Sequence, residues 1–206
     1  MQMSSLGCSS GRCLSFPSAL AFCFSVYSAH AILCISHPRG KDGKIKIVDY
    51  NRAEPRMYDT KKEAYCKWRN GVPTDGSLRA PEENVDAGLS EQIDVFSLGN
   101  VFYEVLTGIE LWEGYEKAEK IRRVVEGEPM EIDGIFFQTF SFEVLAQAIL
   151  LCWTYDAEER PTIFEIIKFL EQGIESNLRN PHGGSMKERL ASGEEFDLYG
   201  GVSTIL

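Results

Sequence analysis

Apolar residues recur at helical spacing over most of the second half of the chain. The stretch SEQIDVFSLGNVFYEVLTG carries Ile93, Val95, Phe96, Leu98, Val101, Phe102, Val105 and Leu106 nearly all round a helical wheel. That pattern predicts a helix buried on most sides, with Ser90 as N-cap and Gly108 as the stop. Residues 116–127 read as an amphipathic helix ending at Gly127, with Lys120, Arg122 and Arg123 on its solvated face. Residues 141–153, SFEVLAQAILLCW, predict a second strongly apolar helix. A last helix opens on Thr162 three residues before Glu165, a capping box, and is expected to close at Gly173. Upstream, Asp42-Gly43 marks a turn before an alternating strand in which Ile45, Ile47 and Tyr50 oppose Lys44, Lys46 and Asp49. Residues 51–89 have no clean period and read as a long loop. Residues 173–206 lack sustained apolar periodicity and read as a flexible tail.

The first 36 residues form a separate apolar, serine-rich segment, with no acidic residue before Asp42. Three readings fit LSFPSALAFCFSVYSAHAILCI, residues 14–35. Arg12, the apolar run and Ala29-His30-Ala31 loosely match a signal peptide. The length suits a membrane span, against which its serines and Pro17 count. The third reading is a helix packed in the core, covering Val101 and Val105, or a stretch that carries no function at all.

With 206 residues the chain is long enough for one ordinary domain plus tails. A hydrophobic content of 44% against 25% charged residues supports a packed core. The net charge of −10 repels phosphate backbones, so nucleic acid is not an expected partner, and anionic lipid is disfavoured for the same reason. A membrane contact is expected only if residues 14–35 form a span. No C-x-x-C pair occurs, which removes the zinc ribbon and the dithiol redox site. Cys152 reads as a buried core thiol, and without a disulfide framework a cytoplasmic location is favoured for the body, residues 41–172.

The order of several short motifs is more specific than any one of them. Asp49-Tyr50-Asn51 follows the strand; then come Ala80-Pro81-Glu82, Asp94-Val95-Phe96-Ser97-Leu98-Gly99, and Arg160-Pro161-Thr162. This series resembles the C-terminal lobe of a eukaryotic protein kinase, whose motifs are D-F-G, A-P-E, D-x-W-S-x-G and a late R-P pair. The resemblance covers about 130 residues. It implies a mainly α fold: a helical bundle with a small strand pair near the start and no N-terminal lobe. It implies that Asp49 matches the magnesium-binding carboxylate, that Glu82 pairs with Arg160, and that Asp94 braces the catalytic-loop backbone. Trp153 matches a buried aromatic, with Ala157 where the family usually has proline.

The departures bear on function. The chain has no G-x-G-x-x-G loop, no V-A-I-K-type lysine and no H-R-D-x-x-x-x-N motif. An ungapped count back from Asp49 puts His30 on the family's histidine, Ile32 on its catalytic acid and His37 on its magnesium-binding asparagine. Isoleucine accepts no proton. No catalytic residue is therefore expected, and Asp49 is expected as a retained fold element. ATP and Mg²⁺ are implied by the resemblance alone. Hydroxyls at Tyr58, Thr60, Thr74 and Ser77 fall in the activation-segment region and are candidate phosphorylation sites. The final Thr204-Ile205-Leu206 has the form of a C-terminal peptide ligand. Three functions remain open: a catalytically silent, pseudokinase-like module that binds another kinase or a substrate protein; a fragment of an active ATP-dependent kinase; and a secreted or membrane-tethered helical module.

Overall fold

The computed structural model describes residues 57–66, 78–85 and 88–196, together with the pairing of two short strands farther upstream. β1 (Tyr27–Ser28) runs antiparallel to β2 (Glu54–Pro55), and β3 (Tyr58–Asp59) antiparallel to β4 (Ala64–Tyr65). The expected alternating strand at 41–50 lies outside the described residues. So does the packing of residues 14–35, apart from the β1 pairing. Five helices follow: α1 (Gln92–Thr107), α2 (Lys117–Glu126), α3 (Phe140–Cys152), α4 (Ile163–Arg179) and α5 (Met186–Ala191). The fold is mainly α, a helical bundle with small strand pairs near the start.

The bundle is organised about α3, which is apolar enough to be buried on two sides. Ala148, Leu151 and Cys152 join Val95 and Leu98 of α1, Ile163, Ile166 and Phe169 of α4, and Met186 of α5. Its other side gives Ile149 to a second cluster with Ile93 and Phe96 of α1, Ala80, Leu89, Leu111, Val124 and Trp153. Two glycines permit the close approaches. A Cβ at Gly99 would lie 2.8 Å from Cys152 Cβ and from the Trp153 ring, and one at Gly173 would lie 2.5 Å from Val144 Cγ1. Neither neighbour is the loose end of a flexible chain, so only glycine fits without a shift.

The helix pattern predicted from sequence is present, with four corrections. Ser90 does not cap α1 through its side chain in the expected way: the N-cap is Glu91, and Ser90 Oγ accepts only from Gln92 N, at 3.4 Å. α1 is buried over its first half alone. Its buried residues run from Ile93 to Gly99, whereas Val105 is 61% exposed. Lys120 does not belong to a solvated face. It is buried, and its ammonium reaches Glu110 at 3.0 Å. Finally, α4 does not stop at Gly173, and the segment expected as a tail is ordered through residue 196. Gly173 is spent on the crossing with Val144, and helix hydrogen bonds continue to Asn180. α5 then docks Met186 into the core. Its start is held by a Ser185–Glu188 capping box and by Glu143 Oε2, which accepts from Met186 N at 2.7 Å. Residues 197–206, with the Thr204-Ile205-Leu206 ending, lie outside the described residues.

Candidate functional site

Arg160 sits at the end of the loop that joins α3 to α4, immediately before the proline and capping threonine that start α4. Its side chain is fully buried, and that of Glu82 is 11% exposed. Nη1 donates to Glu82 Oε1 at 2.8 Å and Nη2 to Glu82 Oε2 at 3.3 Å, a bidentate pair. Nη1 also donates to Gln92 O at 2.6 Å, Nη2 to Tyr155 O at 3.2 Å, and Nε to Thr154 O at 2.8 Å. These contacts match the five N–H donors of a guanidinium, leaving none of them stranded in the core. The guanidinium carbon lies 5.1 Å from the centre of the Phe96 ring. Gln92 returns the contact, its Nε2 donating to Arg160 O at 2.6 Å. One side chain thus joins the Pro81–Glu83 turn, the start of α1 and the approach to α4.

The turn is shaped by its own sequence. Pro81 opens a 3₁₀ turn over Pro81–Glu83. Glu83 folds back so that its Oε1 accepts from Ala80 N at 3.2 Å and its Oε2 meets Arg79 Nη1 at 3.2 Å. Glu82 is left to face Arg160. A groove of about 350 Å³, lined in part by Pro81, Val85, Tyr155 and Asp156, opens beside the pair. Asp94 is buried in the first turn of α1, where a carboxylate also suits the helix dipole. One turn beyond Phe96, Asn100 Nδ2 donates to Leu78 O at 2.7 Å while its Oδ1 accepts from Trp153 Nε1 at 2.9 Å. Asn100 and Glu83 were not foreseen. An amide inside an otherwise apolar helical stretch was the available signal for the first, and the Ala80-Pro81-Glu82 motif stops one residue short of the second.

The hairpin β3–β4 carries two of the four hydroxyl candidates into solvent. Tyr58 is half exposed and Thr60 exposed. Tyr65, unnoticed in the sequence, stands opposite Tyr58, the two rings 5.1 Å apart and edge to face. Asp59 Oδ1 accepts from Lys61 N at 2.9 Å and pins the hairpin tip. Thr74, Ser77, Asp49 and Ile32 lie outside the described residues. Among the described residues no group of three His, Cys, Asp or Glu side chains is placed to hold a metal ion, and no helix is long and apolar enough to cross a membrane.

Two titratable groups with shifted values lie on α3, Cys152 toward this site and Glu143 beside α5. Burial pushes the Cys152 thiol up to about 12, against a smaller opposing pull from Arg160. Burial likewise raises Glu143, opposed by the hydrogen bond from Met186 N and reinforced by Glu188. The raised value and full burial hold Cys152 as an inert thiol.

Residues 31–170 match the family described as protein tyrosine and serine/threonine kinase. Among curated proteins, the chain is similar to the serine/threonine-protein kinase VIK of Arabidopsis thaliana, 30% identical over 109 residues, or 52% of this chain and 24% of that protein. It is also similar to the insulin-like growth factor 1 receptor of Bos taurus, 27% identical over 142 residues, or 68% of this chain and 20% of the receptor. The chain therefore spans about a quarter or less of the length of these relatives.

Proposed function

The chain belongs to the protein tyrosine and serine/threonine kinase family, and from that premise we propose that it works as a kinase-like, partner-binding module and not as a phosphotransferase. The observation that carries this reading is a contrast between scaffold and chemistry. The scaffold tie, Arg160 with Glu82, keeps all its contacts. By an ungapped count back from Asp49, the position that would carry the family's proton-accepting acid is Ile32. A hydrocarbon there can neither accept the hydroxyl proton nor orient the nucleophile. Phosphoryl transfer depends on positioning and charge stabilisation, so losing such a group removes orders of magnitude of rate.

ATP and Mg²⁺ enter through the family alone. Asp49 is the carboxylate that would face the metal, and a single carboxylate is a poor magnesium site. Binding a protein partner, the proposed activity, calls on neither group. The partner class is a protein, either another kinase or a substrate. Phosphorylation of Tyr58 or Thr60 by such a kinase would add roughly two negative charges at the hairpin.

The test is radiolabelled phosphotransfer from ATP with the purified chain, with and without Mg²⁺, beside thermal shift with nucleotide. The expected result is no transfer above background and no stabilisation. Transfer that disappears in Asp49→Ala would refute the reading. A second reading is favoured by the coverage of the relatives, 24% and 20% of their lengths: this chain is a fragment of a longer, active kinase. Sequencing transcripts across the region upstream of residue 41 separates the two. A continuous message encoding a glycine-rich loop and an H-R-D catalytic loop would support the second.

A further inference from the structure

The apolar face of helix α4 is wider than the part that the bundle buries. Ile163, Ile166 and Phe169 enter the core. At 100° per residue, Phe164, Ile167, Ile174 and Leu178 fall within a sector of about 80°, centred about 120° round the helix from the middle of those core positions. Phe164 is 53% exposed, Ile174 60% and Leu178 74%, while Ile167 is half-buried at the seam with the core. Isolated exposed apolar residues are ordinary. These four are not scattered. With Glu171 between them they occupy positions 164, 167, 171, 174 and 178, the alternating three- and four-residue spacing of a helix-pairing seam. The stripe is about 21 Å long, four turns of helix.

The one charged position in the seam identifies the occupant. Glu171 is exposed at its centre, with Glu165 and Glu175 on the same helix. A second copy paired antiparallel about the centre, or parallel in register, would set Glu171 against Glu171, like charge on like at the middle of the contact. Residues 14–35 are apolar but contain no Lys or Arg to meet it.

We propose that the outer face of α4 is a docking surface for an amphipathic helix of a partner protein, one bearing apolar residues at heptad spacing and a Lys or Arg opposite Glu171. This deepens the partner-binding reading by naming the partner's chemistry, and its test does not depend on phosphotransfer.

The probes are two synthetic 18-residue helices with leucine at the seam positions and either lysine or glutamate at the central one, titrated into the full chain by fluorescence anisotropy. The expected result is at least tenfold tighter binding of the lysine peptide. Ile174→Asp with Leu178→Asp should abolish binding of both peptides without lowering the melting temperature, since both side chains point to solvent. Glu171→Lys should reverse the preference between the peptides, a readout that nonspecific attraction to a chain of net charge −10 would not give. Equal binding of the two peptides, or undiminished binding to the double aspartate variant, would overturn the proposal. So would dimerisation of the unmodified chain that Leu178→Asp abolishes, which would make a second copy the occupant. A Leu178→Cys thiol shielded from maleimide in the isolated chain would overturn it too, because a segment of the same chain would then cover the face. Phosphotransfer by the chain would end the catalytically silent reading and leave this result standing.

Discussion

Glu82→Ala removes two of the five contacts made by Arg160 and leaves a buried guanidinium facing three backbone carbonyls. The remaining partners are dipoles, not a counter-charge. Breaking a buried pair from one side costs about 3–5 kcal/mol. Glu82 is 11% exposed, so water reaches its place in part and the lower end applies. Arg160→Ala should cost more. It opens the space of a fully buried side chain, leaves Glu82 without its cation and frees three carbonyls that the guanidinium had satisfied. The double variant should lose less than the sum of the single ones, by about 1–3 kcal/mol, because the second change removes a group that the first had already orphaned. For a body of this size each kcal/mol lowers the melting temperature by about 3 °C. Thermal and urea unfolding of the three variants measure the cycle directly. Strictly additive losses would show that Glu82 and Arg160 do not interact and would refute the anchoring role assigned to them.

Glu143 is held above the usual carboxylate range, first by burial, so the folded chain binds its proton more tightly than the unfolded chain does. Stability should therefore fall as pH rises from the ordinary carboxylate value through the raised one. Glu143→Gln, which can still accept from Met186 N, should flatten that part of a stability-versus-pH curve, and an unchanged slope would count against the assignment. Peptide mapping after brief alkylation should find Cys66 modified and Cys152 untouched until denaturant is added, since the former is exposed and the latter buried with its thiol at about 12. Gly99→Ala should destabilise by about 1–3 kcal/mol through overpacking against Cys152 and Trp153, and a neutral result in urea unfolding would mean the two helices can separate without cost.

The helices were legible because apolar spacing, capping pairs and terminal glycines agree over each of them. The Thr162–Glu165 box forms as its spacing demands, Thr162 N donating to Glu165 Oε2 at 2.6 Å. Gly127 ends α2 with a positive φ. What sequence could not show is which partner each side chain meets. Gly173 looked like a helix stop and is a crossing point, because the same missing Cβ serves both ends and a local reading cannot see Val144. Lys120 looked solvated because its helix is charged all along, and only the fold brings Glu110 beside it. The tail was misjudged for a similar reason. Its order rests on single anchors. Met186 enters the core, and Arg189 donates to Ser176 O and Asn180 O and lies over the Phe140 ring. Anchors of this kind leave no periodic trace. Of the candidate site, Glu82 and Arg160 came from motif order, whereas the Asn100 link between Leu78 and Trp153 depends on a helix crossing.

Glu82 and Arg160 are 78 residues apart along the chain. A contact closing so long a loop recovers its entropic cost only once the helices between its ends are docked. It is therefore expected to form after the rate-limiting step, on the native side of the folding barrier. Interactions absent from the transition state govern how fast a protein comes apart and leave its rate of assembly nearly untouched. The pair thus acts as a latch on the finished structure: without it the chain would reach its fold at about the same speed, then shed it sooner, shortening the lifetime of every surface the bundle displays.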